Sequence, residues 1–480
     1  MIFSTRYPNR QTKSSDGYVT VFFTASIAII MSLILGLFVS IRENAIRVKT
    51  VSATDTAMTS IFSEYNKELW KQYGLIFVDS SYMTQSYGMK LSEEHLKDCM
   101  NKNFDECRLG LIGGTDLLKL ECSQAETLAV CLSTDEQAAA IEHQAINLMK
   151  YHYKVAYIDR VVEWIKIIED YNLSEGVSYD EAFSSAGILD SKYGLDYSGW
   201  LPSDSGGNSL SEDIVWPWNI LKRVAGIENI STIKIDTKTY AGKRELNKGN
   251  LKCEYDKNAS DFFFLREYAL LKCGNFITPK EGSVLKYQSE YLVSGKDSDC
   301  DNLASVARRI MVIREAANMI TLLSDDDRMN KISIFCTGIC AALGIPEATE
   351  LLETIIIAYW VNCESKTDLK IIMNGGKIPL IKDCSQWITG IGSILFGSDS
   401  SGNYTEGLSY EDYLRIFIYL TGEKKLVLRL SDIIEMDIRN TPGNEYFRLD
   451  NCFDMWEAQV YVKSDHGLDF TAVRKRQVLE

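Results

Sequence analysis

Between Tyr18 and Ile41 the chain runs for 24 residues without a charged side chain. As a helix rising 1.5 Å per residue, such a run reaches roughly 36 Å, enough to cross a hydrocarbon core of about 30 Å with some tilt. A backbone inside hydrocarbon must satisfy its own N–H and C=O groups, which confines the segment to a helix. A secretory h-region of about 7–15 residues would be shorter and would end in small residues. Here Arg42, Glu43, Arg47 and Lys49 follow instead. Residues 17–41 are therefore expected to be a transmembrane helix carrying a large aqueous body on one side.

Charge alone does not orient the span. Arg6, Arg10 and Lys13 precede it, and Arg42, Arg47 and Lys49 follow, so the count of flanking cations is balanced. Thr24, Ala28, Ser32, Gly36 and Ser40 recur every fourth residue. A row of small side chains lets two helix backbones approach closely in lipid, and this face is expected to pack against another membrane helix.

Composition narrows the rest. The formal net charge is −15, which disfavours nucleic acid and anionic lipid as partners of the aqueous part. An apolar content of 46% belongs to a folded chain. Twelve cysteines with four histidines and no Cys-x-x-Cys leave no recognisable zinc pattern. Cys99/Cys107, Cys122/Cys131 and Cys253/Cys273 are close enough in sequence to bridge, but the expectation is mostly reduced, buried thiols. Cys336 and Cys340 fall one helical turn apart and read as buried on one face.

After the span, Val51, Met58, Ile61, Phe62, Tyr65, Leu69 and Trp70 keep a helical spacing up to Gly74, a natural C-terminal residue. One helix is expected from about Tyr18 to Tyr73, its second half amphipathic. A buried strand is expected at Leu75–Asp79, a helix capped by Ser92, and strand character over Lys119–Leu132 with a turn near Ser123. A long helical region from Thr134 to Tyr171 follows. Ser- and Gly-rich residues 196–215 read as a linker or exposed loop. The fold class is thus α+β: a long N-terminal transmembrane-plus-stalk helix, a pilin-like α/β layer, a largely helical region and a small C-terminal α+β part. The divisions are 1–16 (tail), 17–41 (span), 42–74 (stalk), 75–195, 196–215, 216–396 and 397–480. The apolar runs Ile332–Ile345 and Leu351–Trp360 are too short to span and are expected in the core.

Several segments carry a resemblance. Gly17-Tyr-Val-Thr-Val followed by the uncharged helix resembles the start of TadE/TadG-like pseudopilins of tight-adherence (Flp) pilus systems. The segments 62–79, 142–152, 295–320, 375–387, 408–420 and 447–452 resemble a Gram-positive branch of such anchored proteins. The resemblance implies a cytoplasmic N-terminus, an extracellular C-terminal body and a role in pilus assembly. It also implies a processing site after Gly17, with Tyr18 as the new terminus. The chain departs from the pattern at Phe22, where the family places an acidic residue.

No constellation points to chemistry. Asp297, Asp299 and Asp301 lack the Gly and Glu that a calcium loop needs, and Asp299 or Asp301 is expected to cap the following helix. Ser324–Asp327 reads as another cap, and Ser409 with Asp412 as a capping box. Gly375-Gly376-Lys377 lacks the remainder of a phosphate loop. The expectation is a non-enzymatic, single-pass membrane protein with no cofactor, metal or catalytic residue. Its expected partners are pilus or secretion-system proteins, met through the span and the ectodomain. The alternatives are a membrane-tethered adhesin outside any pilus and a tethered extracellular hydrolase.

Overall fold

The computed structural model describes residues 16–105, 118–152, 158–175, 180–194, 218–252, 255, 258, 261–390, 404, 406–465, 467 and 469–478. In chain order the helices begin with α1 (Asp16–Phe62), α2 (Lys67–Tyr73), α3 (Lys90–Asp105), α4 (Asp135–His152), α5 (Ile158–Asp170) and α6 (Asp180–Tyr193). They continue as α7 (Asp261–Lys272), α8 (Gln288–Ser294), α9 (Asp299–Leu323), α10 (Asp326–Ala342), α11 (Thr349–Met373), α12 (Tyr410–Leu420) and α13 (Glu423–Arg439). The strands are β1 (Val78–Asp79), β2 (Leu120–Leu132), β3 (Cys452–Ser464) and β4 (Phe470–Gln477). Two compact units emerge, each assembled from separate stretches of chain.

The first unit comprises Met1–Glu64, Gly88–Val130 and Met455–Glu480. Its sheet is antiparallel between β3 and β4, from Met455↔Gln477 to Val462↔Phe470, and β2 lies along the other side of β3. Alternation along β3 turns Trp456, Ala458, Val460 and Val462 inward, all buried, as period 2 requires of a half-covered strand. The stalk half of α1 packs against α3 and β4. It buries Ile46, Thr50, Ala53, Thr54, Ala57, Met58 and Ile61, a stripe at helical spacing. Leu96, Met100 and Phe104 of α3 repeat every fourth residue and are buried too. Ser92 lies inside α3 rather than at its cap, and its buried hydroxyl lacks a partner.

The second unit comprises Tyr65–Tyr87 and Cys131–Asp454. Helix α9 lies at its centre, against α8 and α11, and Leu303, Val306, Ala307, Ile310 and Met311 are fully enclosed. A smaller apolar cluster joins α6, α10 and α11, with Cys336 and Cys340 buried on one face of α10. Runs 332–345 and 351–360 thus each bury one side, while Ile334 and Leu343 stay exposed. Thr349–Met373 forms one unbroken helix, with no breaker between Glu364 and Lys366.

Local signals account for most boundaries. The expected single helix from Tyr18 to Tyr73 is interrupted: α1 ends at Phe62, and Asn66 in extended geometry caps α2 by accepting from the Leu69 N–H. Gly74 takes φ +70°, and a Cβ there would meet the Leu148 side chain at 2.8 Å, so glycine is strongly favoured. Only Val78 and Asp79 of the 75–79 stretch pair as strand, with Phe453 and Cys452. β2 runs through the expected turn at Ser123, whose hydroxyl donates to the Tyr461 carbonyl at 3.1 Å. Asp325 caps α10, and Ser409 with Asp412 forms the capping box of α12. Ser298, not Asp299 or Asp301, caps α9. The three local cysteine pairings fail: Cys99, Cys122 and Cys273 are free thiols, and Cys131 is disulfide-bonded. The 196–215 loop lies outside the described residues.

Candidate functional site: the span and the charged interior

The N-terminal helix falls into two physical regimes. From Gly17 it is long and apolar enough to cross a membrane, with a mean hydropathy of 2.5 in a window of which none is buried. Sixteen large apolar side chains between Tyr18 and Ile41 stand exposed. At roughly 1.5–3 kcal/mol for each such side chain buried, their transfer out of water is worth on the order of 30 kcal/mol. That exceeds the net stability of a whole domain, about 5–15 kcal/mol. The segment is thus compatible with a membrane anchor.

Thr24, Ala28, Ser32, Gly36 and Ser40 are all exposed on this half. Thr24 Oγ1 donates to the Thr20 and Val21 carbonyls at 3.0 and 2.9 Å, and Ser32 Oγ to the Ile29 carbonyl at 2.8 Å. The Thr24 and Ser32 hydroxyls are thereby satisfied within the helix, an arrangement compatible with hydrocarbon. A Cβ placed on Gly36 would meet nothing within 4 Å. Gly17 and Tyr18 occupy the first turn of α1.

From Arg42 onward the same helix is half covered. Arg474 Nε donates to Asp55 Oδ1 at 2.8 Å, and Arg476 Nη1 to Thr59 Oγ1 at 2.5 Å. These contacts tie β4 to α1 along more than one turn.

The second unit holds what the linear sequence hides. Among its described residues fifteen carboxylate side chains and three cationic ones are buried; among those of the first unit no charged residue is. Lys382, wholly enclosed, reaches Glu364 and, at 2.7 Å, Asp368. Arg314, equally enclosed, bonds Asp368 Oδ2 through Nε at 3.0 Å and donates to the Pro379 and Leu380 carbonyls at 2.8 Å. Glu364 also accepts from the Ile388 and Thr389 N–H groups. Burying ions without such pairing would cost several kcal/mol each.

Other buried carboxylates rely largely or wholly on neutral donors. Asp437 accepts from Tyr73 Oη at 2.6 Å and Gln288 Nε2 at 2.8 Å, with Lys280 at 3.1 Å. Asp432 accepts from Tyr291 Oη and the Gly242 N–H. Glu290 accepts from Tyr410 Oη at 2.6 Å and the Phe276 N–H at 2.8 Å, while its second oxygen has no partner. Burial pushes Glu290 up to about 7 and Asp432 up to about 6. Glu435 and Asp450 share the Arg244 guanidinium.

The acidic motifs seen in the sequence disperse. Asp297 accepts from Thr237 Oγ1 at 2.8 Å. Asp299 turns inward to Ser231 Oγ and the Lys286 N–H, and Asp301 accepts from Ser298 Oγ. Three carboxylates that share a short stretch of sequence thus point to three different places. His95 faces Glu64 at 3.4 Å, and His143 stacks on Tyr255 with centroids 4.4 Å apart.

No curated protein and no solved structure matches the chain. Residues 218–464, just over half of it, match the model of a family of unknown function, DUF5702. The match takes in α7 to α13, the same helices that enclose the buried carboxylates, and the chain belongs to the DUF5702 family.

Proposed function

We propose that this protein is a non-enzymatic, membrane-anchored component of a Tad/Flp-type pilus assembly or secretion system. In this reading the N-terminus is cytoplasmic and the folded body extracellular. One observation carries it: an uncharged, fully exposed helix continues without a break into a stalk that lies on α3 and an antiparallel sheet. A helix laid across an antiparallel sheet is the arrangement that the pseudopilin resemblance implies. The open row Thr24, Ala28, Ser32, Gly36 and Ser40 suits a second membrane helix, since small residues let backbones meet in lipid. A disulfide at Cys131 favours an oxidising compartment.

Gentle detergent extraction followed by crosslinking tests the reading. Pilus or secretion-system proteins are expected to crosslink through the span, and Ser32→Leu with Gly36→Leu to abolish the adduct. An adduct unchanged by both substitutions, or an extract without such partners, overturns it. Protease added to intact cells is expected to remove the body and leave the span. An intact Met1–Gly17 segment in the mass of the extracted chain would exclude processing after Gly17 without touching the anchor.

A further inference from the structure

The second unit contains a cleft of about 550 Å³ between the end of α7, the turn that follows it, the start of α12 and Gln72 of α2. Its charge runs against the chain as a whole. Lys272, Lys280 and Arg415 line it against one carboxylate, Glu411, in a protein of formal charge −15.

The four groups are not equally engaged. Lys280 bonds Asp437 at 3.1 Å and sits over the Tyr73 ring. Arg415 bonds Glu267 at 3.1 Å, and Glu411 accepts from Asn275 and Thr278. Lys272 differs. Its ammonium is half-buried and donates to the Gln72 carbonyl at 3.3 Å, and among the described residues no carboxylate pairs with it. Burial, and then the like charge of Lys280, hold it below the usual lysine range. Partial desolvation beside another cation raises the local potential, and an anion arriving there relieves both penalties. The neighbouring Cys273 thiol, pushed up to about 12 by burial, stays neutral and does not repel an anion. Leu270, Leu271 and Leu414 give the same cleft an apolar wall, the mixture of a few placed charges and apolar lining found in small-molecule sites.

We propose that this cleft binds a small oxyanion, the carboxylate or phosphate of a compact organic molecule, with Lys272 as its charge contact. The site is independent of the pilus reading and stands or falls without it.

The test uses the full chain in nanodiscs of zwitterionic lipid, titrated calorimetrically with inorganic phosphate and, separately, with N-acetylleucine. Saturable binding of at least one is expected. N-acetylleucine ahead of phosphate identifies a carboxylate ligand with an apolar group, and the reverse order a phosphate. Lys272→Gln should weaken binding about tenfold or more, as loss of a charge-assisted bond does, and Lys272→Arg should retain most of it. Absence of saturable heat up to about 10 mM of either probe, or equal binding by Lys272→Gln, overturns the proposal. The second result would mark a general salt effect rather than a site.

Discussion

The two units solve the problem of an interior in opposite ways. The first packs a helical stripe on a sheet with an apolar filling, and the buried polar side chains among its described residues are hydroxyls: Thr50, Thr54, Ser92 and Ser464. The second encloses fifteen carboxylates and three cations among its described residues. An apolar core is insensitive to pH and tolerant of isosteric change, whereas a charged one is specific and fragile. The contrast also revises what the net charge means. Nearly a quarter of the 66 acidic residues lie inside the second unit, so the charge of −15 overstates how acidic the surface is.

The sharpest way to break this comparison is Lys382→Met. Glu364 and Asp368 would keep their other donors but lose the shared ammonium, at a cost of about 3–5 kcal/mol. Hydrogen exchange followed by mass analysis should show protection falling in α9 and α11 and unchanged in α1, α3 and β4. Equal loss in both units would mean that the units do not differ in the way described.

A second test uses pH. Glu290 and Asp432 have folded values, about 7 and about 6, above their ordinary 4.5 and 3.8. A carboxyl raised by folding favours the folded state while protonated, so its contribution is present below the unfolded value and is lost as pH rises through the folded one. Stability of the second unit should therefore fall between about pH 4.5 and 7. Asp450 acts oppositely: against the effect of burial, Arg448 and Arg244 hold it below the usual carboxylate range, so its contribution is lost on acidification. Glu290→Gln keeps an acceptor for Tyr410. It should leave stability unchanged near pH 4.5 and raise it by up to about 3 kcal/mol at pH 8. Urea midpoints across pH measure this, and parallel curves for the two proteins would refute it.

The smallest effect is expected in the first unit. Thr50 is fully buried and its hydroxyl has no partner. Thr50→Val preserves shape and should stabilise by up to about 1 kcal/mol, read as slower exchange in α1 and α3. Removing an unpartnered hydroxyl helps one interior, then, while removing a paired ammonium harms the other.

What the sequence made legible was local. The long apolar helix followed from an uncharged run, and the box of Ser409 and Asp412 from spacing three residues apart. Gly74 marked a helix end that requires positive φ. Asp299 shows where such reading stops. It looked like a cap, but Ser298 one residue earlier is already the N-cap, and the Asp299 carboxylate serves residues 231, 286 and 287. Lys382 carries no local signal at all. Its partners lie 14 and 18 residues upstream, on α11, and only the packing of that helix against α9 encloses it. The break at Asn66 was missed because helical spacing continues across it through Tyr65 and Leu69, while the cap depends on one side chain.

The continuity of α1 has a mechanical consequence. Its 47 residues extend roughly 70 Å, and from Leu37 to Phe62 they contain neither proline nor glycine, the usual causes of a kink. A twist or pull applied to the apolar end would be carried along the helix to Asp55 and Thr59, as shear on the edge strand they hold.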